Sequence, residues 1–375
     1  MEARDHHGFT PLMLAAKGND LDSLLALLAA GADVEARDDE GNDSALHGSV
    51  ALGHLRIVEA LLQHKADVAA RNRQGFTPLM VAAVYNKPEC ALALLNASAD
   101  TLDRSPEEDE TSLHLAVRLG HLRMVNLLLQ HMPASDLPAR NGMNPIMLAA
   151  SHGKLDCAQA VIASGANLEG RDAVDGGSSL HIACTRGHAA MTELLLRHGA
   201  DKNGRTNLGT TPLMLAAKHD NLDCMQALVA ADANLQASVE GGITALHAVA
   251  IRGSLRGVRL LLRHKADPDA GLNGVTPAVI CRRAWAHRPQ LLRPGAEAAE
   301  ERKAVVEALN RASLANRLWR GRKVIVMLAA RHTGGQIITD GATGDLLLES
   351  TVLWLVARQG QGMEQVYRYT GLLLP

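Results

Sequence analysis

The chain holds 17 His and five Cys among 375 residues, the side chains most often used as metal ligands, nucleophiles and general bases. Such chemistry needs them gathered round a point. Their spacing spreads them out instead. His47, His114, His181 and His247 follow at intervals of 67, 67 and 66 residues, and His54, His121 and His188 at 67 and 67. His64, His131, His198 and His264 repeat the same way, so eleven of the 17 belong to three copied positions. Cys90, Cys157 and Cys224 are also 67 apart, with Ser23 one unit earlier. In a repeat array, equivalent residues line up along an axis, so these cysteines read as small core residues. No C-x-x-C, H-E-x-x-H, G-x-G-x-x-G, P-loop or G-x-S-x-G pattern occurs. The expectation is a non-enzymatic chain with no catalytic residue, no cofactor and no metal.

The interval of 67 comes from the elements that carry these residues. The octet TPLMLAAK at Thr10–Lys17 recurs unchanged at Thr211–Lys218. Nine copies align on one box, at Thr10, Ser44, Thr77, Thr111, Asn144, Ser178, Thr211, Thr244 and Thr276, with steps of 32 to 34 residues. Odd copies read TPLM, TPLM, NPIM and TPLM; even copies read SALH, TSLH, SSLH and TALH. The ancestral unit is a pair. Thr, Ser and Asn are good N-caps, and Pro fits the first helical position, where its missing N–H costs nothing. Nine residues on come Asn19, Gly53, Asn86, Gly120, Gly153, Gly187, Asp220 and Gly253, all types that tolerate a left-handed helix stop. A Leu-rich second helix and a polar connector complete each unit.

Gly8-Phe9-Thr10-Pro11-Leu12, and Gly120-His121 followed by Leu127-Leu128-Leu129, resemble the ankyrin repeat over about residues 5–281. The resemblance implies an all-α solenoid of about nine helix–turn–helix units with β-turn or hairpin fingers. It also implies a concave groove between fingers and inner helices, and a satisfied structural role for the box His. One such unit cannot bury its own apolar faces; stacking does it. The family places Gly at the end of each second helix, but Lys65, Ser98, Met132, Asp232 and Lys265 stand at five of eight such positions. A left-handed non-Gly residue costs about 1 kcal/mol, so these joints are expected to be rearranged or weakened.

Function in such an array falls to positions the fold leaves free: the fingers and the ends of the first helices. The candidates are Phe9, Lys17, Leu52, Phe76, Tyr85, Arg118, Leu119, His152, Arg186, His219, Ile251 and Arg252. Leu52, Tyr85, Leu119 and Ile251 would form a broken apolar strip, with Arg118, Arg186 and Arg252 beside it. Phe9 and Phe76 are the only Phe in the chain and stand in the fingers, either as interface anchors or packed on the next finger. Asp103–Glu110, DRSPEEDE, is an acidic finger: a solvated loop, a patch for a basic partner, or a phosphate acceptor at Ser105.

The domain expectation is an array over 1–281, a basic irregular linker over 282–295, a capping helix over 296–320 and a region of unassigned fold over 321–375. Residues 1–281 carry 24 Lys/Arg and 32 Asp/Glu, whereas 282–331 carry twelve and four. An acidic array argues against nucleic acid, and only the basic 282–331 offers a membrane or acidic partner a surface. Unpaired cysteine spacing and a polar start without a signal peptide point to the cytoplasm, with the nucleus compatible. The expected function is a scaffold binding a partner protein through groove and finger tips. The alternatives are an adaptor whose tail recruits an effector such as a ubiquitin ligase, or one arm of a larger enzymatic or membrane-tethered protein.

Overall fold

A computed structural model describes residues 3–132, 136–271, 275–287 and 300–317. Helices come in pairs: α1 (Pro11–Lys17) and α2 (Leu21–Ala29), α3 (Ala45–Leu52) and α4 (Leu55–Gln63), α5 (Pro78–Val84) and α6 (Pro88–Asn96), α7 (Ser112–Leu119) and α8 (Leu122–His131). The series continues with α9 (Pro145–His152) and α10 (Leu155–Ala163), α11 (Ser179–Arg186) and α12 (Ala189–Arg197), α13 (Pro212–His219) and α14 (Leu222–Ala230). Then follow α15 (Ala245–Arg252), α16 (Leu255–Arg263) and α17 (Pro277–His287), and a helix over 300–317, here α18. Among the described residues there is no β-strand. The chain divides into two compact units, Met1–Glu240 and Gly241–Pro375.

In the first unit the odd-numbered helices pack on one another in sequence as an inner row, and the even-numbered helices form an outer row. The two identical octets occupy the same corner of their layers, as N-cap plus α1 and as N-cap plus α13. All eight expected stops are left-handed, from Asn86 at φ 53° to Gly53 at φ 84°. The core is Leu, Ala, Val, Met and Cys, with Leu24, Leu61, Met80, Leu94, Leu113 and Leu128 fully buried. Each finger closes on itself, as where Asn72 N–H donates to Phe76 O (3.1 Å) and Thr206 N–H to Thr210 O (3.0 Å). Arginines zip the fingers together: Arg71 Nη1 donates to Arg104 O (2.9 Å), Arg104 to Pro138 O (2.8 Å) and Arg171 to Arg205 O (2.6 Å).

Of the five non-Gly joints, one is rearranged and four keep the left-handed turn. Lys65, Ser98, Asp232 and Lys265 hold left-handed φ of 64°, 67°, 57° and 68°, whereas Met132 is extended at φ −101°. Ser105 departs from one reading. It is 4% exposed and its Oγ accepts from Glu110 N–H (3.1 Å), so it closes the acidic turn from inside and is closed to a kinase. In the second unit, α17 runs through 282–287, where an irregular linker was expected. The first breaker in that stretch is Pro289, and the Ala- and Arg-rich residues before it extend the helix. Trp285 Nε1 donates to Ile251 O (2.8 Å), and α18 buries Val305 and Leu309. Residues 288–299 and 318–375 lie outside the described set, including the expected 321–375 region.

Candidate partner-binding groove

The box His shows how tightly the inner helices are set. Ser44, Thr111, Ser178 and Thr244 N–H donate to Nδ1 of His47, His114, His181 and His247 at 3.3, 3.2, 3.1 and 3.1 Å. Nδ1 is therefore an acceptor, and Nε2 carries the proton. That proton goes to a finger carbonyl: Phe76 O for His47 (3.1 Å), Gly204 O for His181 (3.0 Å) and Val275 O for His247 (3.0 Å). Burial lowers the pKa of all four rings, to about 4 at His114, so they are neutral and structural. His114 Nε2 alone among them has no bonded partner. Burial lowers its pKa, and the Leu137 and Met143 carbonyls oppose that fall. The cysteines are all buried, and burial pushes Cys90 and Cys281 up to about 11, far from a poised thiolate.

With His and Cys absorbed by the fold, the free positions remain. Leu52 (45% exposed), Tyr85 (58%) and Leu119 (37%) end successive inner helices and present apolar surface. Tyr85 and Phe76 line a concavity of about 260 Å³ with Glu40, Asp43, His47 and Val84, between fingers two and three and the ends of α3 and α5. Phe76 is half-buried there. Phe9 is also half-buried, with Lys17 Nζ 4.5 Å from its ring centroid, so the two candidates form one cation–π pair.

Farther along the same row the groove turns basic. Arg118 is half-buried, and its Nη2 meets Glu110 at 3.2 Å. Burial raises the Glu110 pKa, and Arg118 opposes that rise. His152, Arg186 and His219 are exposed at the ends of α9, α11 and α13. Burial lowers the His152 pKa, and Arg118, Lys154, Arg186 and His188 lower it further. Ile251 and Arg252 end α15 in the second unit, where the Ile251 carbonyl is occupied by Trp285.

Three groups escaped the sequence reading, half-buried Lys154 and two exposed aliphatic side chains. Lys154 sits one position past a turn glycine, where the family pattern masks it. Val174 (84% exposed) and Leu208 (77%) are aliphatic finger tips. Their signal was an apolar residue inside a polar turn. Among the described residues no cluster of His, Cys, Asp and Glu is arranged to hold a metal, and no helix is long and apolar enough to cross a membrane.

Comparison with known proteins agrees with this architecture. The model for ankyrin repeats in three copies matches residues 12–105, 99–172 and 162–239, and that for a single ankyrin repeat matches 241–271. The B-cell lymphoma 3 protein homolog of Mus musculus is 33% identical over 231 residues, 58% of this chain and 51% of that one. The nuclear factor NF-kappa-B p105 subunit of Gallus gallus is 32% identical over 203 residues, 51% of this chain and 20% of its own length. The chain thus spans between a fifth and about half of these relatives. The crystal structure of the ankyrin repeat domain of Bcl-3 superposes with a TM-score of 0.54 at 26% identity, over 59% of this chain and 100% of that domain. From the nine registered boxes, the left-handed stops, the neutral box His and these matches, the chain belongs to the ankyrin-repeat family.

Proposed function

We propose that this chain is a non-enzymatic scaffold that binds a partner protein along the groove of its first unit, acting in the cytoplasm or nucleus. One observation carries the reading. In a chain with three Tyr and two Phe, Tyr85 stands 58% exposed at the rim of a concavity that also holds Phe76. Aromatic surface withheld from the core and displayed beside a hollow is what an interface anchor requires. Leu52 and Leu119 extend it on the neighbouring helices. The stacked layers preset this surface, so binding loses little ordering entropy. The relatives named above are built on the same repeat, which supports an interaction role.

The test uses the full chain. Tyr85→Ala and Leu119→Ala should each cut the affinity of a captured partner about tenfold or more while leaving the melting temperature within a degree or two. Leu92→Ala, on the outer helix α6, serves as control and should leave binding intact. Equal partner recovery from all three variants sinks the groove reading. An adaptor role is the second reading. It is favoured by 31% identity over 173 residues to the ankyrin repeat and SOCS box protein 3 of Homo sapiens, whose name joins an array to a second module.

A further inference from the structure

The inner-helix ends of the first unit change character along the row. Leu52, Tyr85 and Leu119 serve copies two to four; Arg118, His152, Arg186 and Lys218 serve copies four to seven. The charge of the second stretch comes from Arg118, Arg186 and Lys218, with His152 held toward its neutral form among them, and it is reinforced from the side. Lys154 lies back over the turn of the preceding copy, its Nζ 3.3 Å from where a Cβ at Gly120 would stand, and the His188 ring covers Gly153 in the same way at 2.9 Å. His152 sits amid Arg118, Lys154, Arg186 and His188, all of which add to burial in lowering its pKa.

Several nearby acids are already engaged. Glu110 is held by Arg118, and Asp109 binds Arg104 at 2.7 Å. Asp172 accepts from the N–H of Val174 and Asp175 (2.8 and 2.9 Å), and Asp175 from Gly177 N–H (3.1 Å). Among the described residues Lys154, Arg186 and Lys218 have no carboxylate within 4.0 Å. This strip lies in an array whose 24 basic residues are outnumbered by 32 acidic ones over 1–281. An anion is repelled by most of such a body and focused onto the strip. Cations at helix C-termini also complement the helix dipole. That contribution is confined to stability, and the test separates it.

We propose that Arg118, His152, Lys154 and Arg186 form an acidic-peptide subsite, which takes a cluster of Asp or Glu side chains on the partner while the partner's apolar residues rest on Leu52, Tyr85 and Leu119. The inference rests on the groove reading above and gives the bound segment a direction: apolar over copies two to four, acidic over copies four to six.

The probe is a displayed library of random dodecapeptides, selected on the full chain and on its Lys154→Glu/Arg186→Glu variant. Peptides from the unaltered chain should carry about twice the library frequency of Asp and Glu, grouped to one side of their aliphatic or aromatic residues. Replacing those acids by Asn and Gln, or using the double variant, should weaken binding about tenfold by fluorescence anisotropy at physiological salt. Selection on the double variant should favour Lys and Arg, a swap that only a folded groove can show. The proposal is overturned by peptides without acidic enrichment, by failure to select any, or by the same enrichment from the double variant. It is equally overturned if a poly-thymidine oligonucleotide binds more tightly than the acidic peptides. If selected peptides depend on Tyr85 but ignore Lys154 and Arg186, only this inference falls; if they ignore Tyr85 as well, the groove reading falls with it.

Discussion

Even and odd copies of the repeat fold into the same two helices, yet they hold their neighbours differently. Odd copies put Met13, Met80, Met147 or Met214 in the box, each buried and packing, with Met13 Sδ also accepting from Thr10 N–H at 3.5 Å inside its own copy. Even copies put a neutral imidazole there, which packs and also bonds. His47 reaches forward to the finger of copy three, and His54 reaches back to Ala16 O of copy one at 3.0 Å. His121 reaches back to Ala83 O (2.9 Å), and His181 forward to Gly204 and Thr210 O (3.0 and 3.2 Å). Within the first unit the fingers of odd and even copies alike are zipped by arginines, so what the even copies add is side-chain bonding from the helix pairs to neighbouring layers; Asn221 of copy seven adds a bond back to Cys184 O at 2.7 Å. The joint after copy four differs, because His114 Nε2 has no bonded partner and Met132 is extended instead of left-handed. The pair-unit visible in the sequence is thus also a unit of box-His bonding, and the joint after copy four lacks that bond while Arg104 and Arg140 still tie its fingers.

Acid should strain this arrangement most. The box His are held neutral by burial, with folded pKa values below the 6.5 of the free side chain. As pH falls below about 6.5, the unfolded chain takes up protons that the folded chain refuses, so stability drops. For His114, with a folded pKa of about 4, the loss amounts to about 3 kcal/mol and is complete near pH 4. Glu110 works in the opposite sense, since its raised pKa makes the folded form the better proton acceptor. Urea unfolding from pH 7 to 4 should show a falling midpoint, and the slope should shrink when the box His are replaced by Met. A flat profile would mean that these imidazoles are protonated in the folded array.

Exchanging one box for the other sharpens the comparison. His181→Met removes the donor to two finger carbonyls and leaves Ser178 N–H at best a weaker thioether acceptor, and should cost about 2 kcal/mol. His114→Met weakens the N-cap bond but removes no bond to the next finger, and should cost less than half as much. Equal losses would show that the capping half of the box, and not the link to the following layer, is what imidazole contributes.

Much of this was legible in the sequence because a repeat states each rule several times. N-caps, stops and the outer Leu faces are set by local backbone chemistry, and eight registered copies leave little room for error. The surfaces were less legible. Whether Phe9 is an anchor or a packed ring depended on Lys17, which stands eight residues away and reaches it only after the helix turns. Ser105 reads as a modification site in sequence although its turn closes over it, since burial of one hydroxyl in a finger leaves no periodic trace. Lys154 carried no signal of its own, because it matters through its neighbours in adjacent layers.

The smallest expected effect tests the joints themselves. Lys65 occupies a left-handed position at φ 64°. At the same position of other copies, Gly31, Gly165 and Gly199 have nothing within 4 Å of where a Cβ would stand, so crowding is not what favours glycine there. Backbone strain is. Lys65→Gly should therefore stabilise by about 1 kcal/mol, reduced by the extra freedom glycine gives the unfolded chain. Met132 holds the equivalent position in an extended conformation at φ −101°, with no strain to relieve, so Met132→Gly should give no gain and a loss of about 0.5 kcal/mol. Paired thermal melts decide it. If both substitutions stabilise alike, Met132 visits the left-handed form in solution and the joint after copy four is ordinary; if they differ in sign, the copy whose box His leaves Nε2 without a bond is also the one whose helix end abandons the family's turn.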